Sequence, residues 1–166
     1  MRAGITALTA SAIALSACAG DNPDNVPEYG DWEMTTRVDS VSINGTILPP
    51  ENLPPEFRAL ETTENRCGEP MFKDREWQLA DIARKSGADC TAERFDESPT
   101  EVSGDGRCID VGNNGFNPAY SFRATQGPDS YRLVVTLEGS ATIRGVSGQH
   151  YIKATAVQQG TRTGDC

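Results

Sequence analysis

The chain is short of the residues that carry most chemistry. Its 166 residues include a single histidine, His150, and five cysteines, none spaced as C-x-x-C. One histidine makes no zinc cluster, and without C-x-x-C neither a zinc knuckle nor a thioredoxin-like redox pair is supported. No G-x-S-x-G turn exists to expose a nucleophile, and the nearest serine to His150 is Ser147, three residues away. No glycine-rich stretch follows a strand and opens a helix as a phosphate cradle does. With 24 acidic residues, a glycosidase-like carboxylate pair can be drawn anywhere and carries no weight. The segment "SGDGRCIDVGNNGFN" gathers Asp105, Asp110, Asn113 and Asn114. It lacks the spacing and closing Glu of a calcium loop, so turn chemistry accounts for it. No catalytic residue, metal or cofactor is assigned, and the reading is non-enzymatic.

Long apolar runs are also missing. The uncharged stretch Ala3–Ala17 behind Met1-Arg2 falls short of the ~20 residues that span a bilayer as a helix. One positive charge, a short apolar core and small residues at its end describe a secretory signal peptide. Leu15-Ser16-Ala17-Cys18 resembles the lipobox of bacterial lipoproteins, in which the cysteine is acylated and becomes the first mature residue. Cys18 is therefore the expected lipidation site and the link to a membrane, with residues 18–29 as a polar tether. Ala19 follows it rather than Asp, which favours an outer-membrane lipoprotein facing the periplasm. Cleavage after Ala19 satisfies a small-x-small pattern too, and would give a soluble periplasmic or secreted protein.

Basic charge is scarce. Without the leader, 14 basic residues face 24 acidic ones, a formal charge of −10. Such a surface argues against nucleic acid and against peripheral docking on anionic lipid. The acid is concentrated in residues 18–109, which hold 20 acidic and 9 basic side chains.

What is present reads as β. "GDWEMTTRVDSVSI" sets Trp32, Met34, Thr36 and Val38 on one face and Glu33, Thr35 and Arg37 on the other. "NGTILPPENLPPEF" has four prolines and reads as a loop that cannot pair in a sheet. "ALETTENRC" reads as a short strand ending at Cys67. In "MFKDREWQLADIARKSG" (71–87), Phe72, Glu76, Leu79, Ile82 and Ala83 recur at helical spacing, with Trp77 at the edge of that stripe. Beyond Cys90, alternating runs separated by turn signals at short intervals favour antiparallel neighbours over crossover connections. The expected architecture is mainly β (α+β): a curved antiparallel sheet over residues 30–166 with one principal helix packed on it, stapled by disulfides.

Committing Cys18 to lipid leaves four cysteines, which allow three pairings. Cys90 and Cys108 each lie nine residues from Pro99, the centre of a proposed hairpin turn. A hairpin centred there makes them face each other, and pairs Arg94 with Gly104 and Asp96 with Val102. Cys67 and Cys166 are then left for each other.

Gly30-x-Trp32-Glu33 at the first strand, cysteines before and after one helix, a third on the next strand and a terminal "TRTGDC" together resemble one bacterial family. It is the domain of unknown function 3617 family, and the likeness covers about residues 30–166. The resemblance implies a small exported or lipid-anchored protein and transfers no reaction. The function expected is a non-enzymatic binding or envelope-associated module of the cell envelope, with an unknown protein or small molecule as its partner. A carrier of a small apolar ligand or lipid in a sheet–helix pocket, and a protein–protein module such as an enzyme inhibitor, are the alternatives.

Overall fold

A computed structural model describes residues 27–68, 89–111, 115–143 and 146–166. Among these residues lie eight strands of one antiparallel sheet. They are β1 (Gly30–Ile43), β2 (Thr46–Ile47), β3 (Thr62–Gly68), β4 (Asp89–Glu97), β5 (Glu101–Ile109), β6 (Ala119–Gly127), β7 (Ser130–Thr142) and β8 (Gln149–Gly164). The strand order is β2-β1-β8-β7-β6-β5-β4, and β3 also pairs with β1. From β4 to β8 each strand pairs with the next in sequence.

The expected α+β architecture is corrected: among the described residues the protein is all-β. Helical structure there amounts to a 3-10 turn at Pro50–Asn52 and one turn of α-helix, α1, at Pro55–Arg58. Residues 71–87, where the principal helix was expected, lie outside the described residues. The physical reason is that period-two alternation on the strands, not a helical stripe, supplies the described core. Even-numbered residues of β1 as far as Val38, even-numbered ones of β6 and odd-numbered ones of β7 share a face. From it Trp32, Met34, Tyr120, Phe122, Ala124 and Tyr131 form the buried cluster with Val102 and Cys108.

Aromatic rings lie across neighbouring strands where those strands carry glycine. Tyr131 on β7 covers Gly160 on β8, where any side chain would collide with its ring, and reaches Trp32 on β1 at a centroid distance of 5.8 Å. Tyr120 on β6 likewise overlies Gly106 on β5, and its hydroxyl donates to the Thr91 carbonyl on β4 at 3.3 Å. Glycine removes the Cβ that would hold these rings off the sheet, so an aromatic fills the space over it. Full burial of such side chains contributes about 1.5–3 kcal/mol each.

Two disulfides fasten the sheet. Cys90 bonds Cys108 across β4 and β5, with Cα atoms 4.0 Å apart. Cys67, next to the end of β3, bonds the terminal Cys166, with Cα atoms 5.8 Å apart. Near the turn the pairing differs from the expected register. Arg94 lies opposite Asp105, not Gly104, and Asp96 opposite Ser103, not Val102. A bulge between Ala92 and Arg94 absorbs the one-residue offset, which is why Cys90 and Cys108 still stand opposite each other.

Candidate functional site

The more enclosed of two recesses among the described residues arises from a gap in the ladder of β1. One edge of β1 pairs with β8 along nearly its whole length. The other edge pairs with β3 only as far as Thr36↔Thr62, and with β2 from Ser42↔Ile47 onward. Between these points, residues 37–41 have no strand partner on that edge. A bulge between Val38 and Ser40 falls in the same stretch. It leaves Asp39 out of the ladder and moves the buried phase from even to odd numbers, so that Val41 is fully buried.

The chain that leaves β1 returns over this gap. Asn44 and Gly45 both have positive φ, 51° and 82°, and form the two-residue turn that joins β1 to β2. Such turns require positive φ at both positions, which Asn-Gly adopts most readily. Leu48 N–H then donates to the Val41 carbonyl at 2.8 Å, and Pro49, Pro50 and Pro54 stiffen the segment through the 3-10 turn to α1. At its far end the Glu61 carboxylate accepts from Val38 N–H at 3.4 Å.

The resulting cleft has a volume of about 400 Å³. Val38, Val41, Leu48, Pro49, Pro50 and Leu53 make its apolar wall, with Val41 0% and Leu53 6% exposed. Asp39, Ser40 and Glu61 supply the polar groups, and Asp39 and Glu61 are exposed at the surface. This size and lining suit a small ligand: mostly apolar walls with a few polar groups to orient it. A wider recess of about 490 Å³ at the other end of β8, over Gln126, Tyr131 and Gly160, is more open and more polar.

The residues weighed for chemistry are placed as follows. His150 Nδ1 lies 3.1 Å from Asn44 Nδ2, and its Nε2 lies 3.1 Å from the Ser147 carbonyl oxygen. Asn44 Oδ1 accepts from Tyr151 N–H at 2.9 Å, so Nδ2 is the group facing the ring. That fixes Nδ1 as acceptor and Nε2–H as donor. Both ring nitrogens thus hold the β1–β2 turn and the start of β8, and the Ser147 hydroxyl is not their partner. Tyr151 next to His150 has its phenol pKa raised, first by desolvation and then by a hydrogen bond to Glu138.

Asp105 pairs with Arg94 at 2.7 Å. Asp110 accepts from Gly115 N–H at 2.7 Å while its own N–H donates to Asn117 Oδ1 at 2.8 Å, a turn-forming arrangement. Asn113 and Asn114 lie outside the described residues, as does Cys18. Among the described residues no three His, Cys, Asp or Glu side chains gather to hold a metal ion. Cys90–Cys108 and Cys67–Cys166 are brought together as disulfides. No helix among the described residues is long and apolar enough to cross a membrane.

A family model described as "Protein of unknown function (DUF3617)" matches residues 27–166. The chain belongs to this family. No curated protein and no solved structure gives a significant match.

Sequence reasoning passed over the cleft, although its signals are visible. The DUF3617 domain's first strand steps from Val38 to Val41, three residues where the pleat asks for two. Asn44-Gly45 and the four prolines follow at once. A broken alternation beside a stiff loop marks a strand that stops pairing and a chain that returns over it.

Proposed function

We propose that this DUF3617 protein is a non-enzymatic binding module of the bacterial cell envelope, anchored through acylated Cys18 and taking a small, largely apolar ligand in the β1–proline cleft. The observation that carries this reading is the cleft itself: about 400 Å³ of space with buried aliphatic side chains at its base and polar groups at its rim. Support for the anchor comes from Leu15-Ser16-Ala17-Cys18 and the polar tether that follows. Two disulfides suit an oxidising compartment, and an outer-membrane position facing the periplasm is the placement proposed. Support for a binding role over catalysis comes from His150, whose two ring nitrogens are engaged with Asn44 and Ser147. The ligand site differs from the sheet–helix pocket expected at first, because its walls are β1 and the proline segment.

The test is binding of a neutral fluorescent amphiphile, N-phenyl-1-naphthylamine, to the full chain. Saturable fluorescence enhancement is expected, and Leu48→Asp should abolish it with the β-sheet circular dichroism unchanged. No saturable binding, or binding that Leu48→Asp leaves intact, overturns the assignment of the site. The anchor is read separately: intact-mass analysis of membrane-extracted protein should show an acylated N-terminal Cys18, and a mature chain beginning at Gly20 overturns it.

A further inference from the structure

We propose that the β1–proline cleft selects amphipathic primary amines, with the ammonium held by the Asp39 and Glu61 carboxylates and an aliphatic body on Val38, Val41, Leu48 and Leu53. This rests on the binding-module reading and adds the class of ligand. Exposure orders the cleft from mouth to base. Asp39 and Glu61 are exposed, whereas Val41 and Leu53 are buried. A ligand must therefore enter with its polar end at the acidic mouth and its apolar end inward.

Three observations favour a cationic head over a neutral or anionic one. First, neither Asp39 nor Glu61 is in an ion pair among the described residues. Glu93, Glu101 and Glu138 elsewhere on the sheet are held by Arg107 at 3.1 Å, Arg123 at 2.6 Å and Lys153 at 3.3 Å. Asp39 and Glu61, like Glu33 and Glu64, have no base against them among the described residues, and only Asp39 and Glu61 stand at the cleft. Second, no basic side chain among the described residues lines the cleft. Third, the protein carries a formal charge of −9, so the long-range field attracts cations and repels anions.

The lining also narrows the kind of cation. Among the described residues the apolar walls are Val, Leu, Ile and Pro, with no aromatic ring to form the cage that suits a quaternary ammonium. A primary ammonium has three N–H donors, and the mouth offers carboxylate oxygens and the Ser40 hydroxyl to receive them. Glu61 already accepts from Val38 N–H, which holds its carboxylate beside β1.

The experiment is calorimetric titration of the full acylated chain in phospholipid nanodiscs with three six-carbon probes: n-hexylammonium, 1-hexanol and hexanesulfonate. They share one apolar body and differ only in the head. Empty nanodiscs give the partition background. Hexylammonium should bind about tenfold more tightly than hexanol at low salt, the scale of one well-placed charge contact. The preference should shrink as salt screens the exposed mouth. Asp39→Asn with Glu61→Gln should abolish the preference, so that hexylammonium binds no more tightly than hexanol to the same variant. Equal binding of hexylammonium and hexanol by the unaltered protein overturns amine selection and leaves the cleft as a neutral apolar site. Tighter binding of hexanesulfonate overturns it as well. If none of the three binds above background, the cleft reading itself falls.

Discussion

The two halves of β1 are one continuous strand put to opposite uses. From Asp31 to Thr36 it is paired on both edges, with β8 and with β3, and Trp32 and Met34 alternate into the core at 1% and 5% exposure. From Arg37 to Val41 one edge loses its strand partner, the alternation breaks at a bulge, and a proline segment returns over the gap. Residue type does not separate the halves, since both place large apolar side chains on the buried face. What separates them is backbone satisfaction. Where both edges are paired, the strand is scaffold; where one edge is met, among the described residues, by Glu61 and the Leu48 amide, space is left beside it.

The comparison breaks most visibly in the doubly paired half. Trp32→Ala should cost about 3–5 kcal/mol, the range for removing a buried tryptophan. The indole packs on Tyr131 and donates through Nε1 to the Glu28 carbonyl at 2.9 Å, so packing and a hydrogen bond go together. Urea denaturation followed by tryptophan-independent circular dichroism measures it. A loss under 1 kcal/mol would show that this half is not the core of the domain.

The long disulfide stands near the same end. Its loop spans 99 residues, which in the chain-entropy picture stabilises by about 4.7 kcal/mol, against about 3 for the 18-residue Cys90–Cys108 loop. Delivered values are commonly 2–4 kcal/mol, so Cys67→Ser should rank just below Trp32→Ala. Terminal residues fray unless tied down. Limited proteolysis of Cys67→Ser should therefore clip residues near Cys166 first, and non-reducing peptide maps should still recover Cys90 linked to Cys108. Recovery of Cys67 linked to Cys90 from the unaltered protein would contradict the pairing.

How much of this was legible in the sequence follows from the same comparison. Alternation at Trp32, Met34 and Val38 and again at Tyr131, Leu133, Val135 and Leu137 marks strands, because a half-buried pleat imposes period two. That β4 to β8 adjoin in chain order was also accessible, since short turns force antiparallel neighbours, whereas the pairing of β1 with β8 was not. The α+β class is not seen among the described residues, because helical spacing in 71–87 marks only a local period and the described core comes from strands. Rings lying over Gly106 and Gly160 depend on cross-strand register, which a linear pattern does not contain. The register of β4 and β5 makes the same point: the cysteines oppose each other only because one bulge offsets a one-residue shift at the turn. The cleft needed two such long-range facts at once, the end of β3 at Thr62 and the return of the proline segment to Val41.

Gly160→Ala tests the ring-over-glycine arrangement with a smaller effect. The added methyl must displace the Tyr131 ring, which also donates to Gln158 Oε1 at 3.1 Å. Overpacking of this kind costs about 1–3 kcal/mol. Pairing it with Tyr131→Ala should relieve the clash, so the two losses should fall short of additive in a double-mutant cycle. Strict additivity would mean that the ring does not depend on the missing Cβ.

The smallest expected stability change carries the sharpest comparison. Val38 and Ser40 lie opposite the adjacent residues Ala156 and Thr155 of β8, so Asp39 is the extra residue of the bulge. Deleting Asp39 would leave every other β1–β8 pair in place and restore strict alternation, with Val41 still on the buried face. Little buried area changes, and Asp39 is exposed and outside any ion pair among the described residues. The denaturation midpoint should therefore move by less than about 1 kcal/mol in stability, as for surface changes away from special features. The local strand geometry changes completely, because a bulge bends and twists its strand and the deletion straightens it. Binding of N-phenyl-1-naphthylamine should be lost while Trp32 fluorescence and the disulfide map stay as they were. If the deletion unfolds the domain, β1 is a single cooperative unit and its division into scaffold and site is wrong. If binding survives in a folded deletion variant, the bulge does not make the cleft, and the proline segment alone must hold it open.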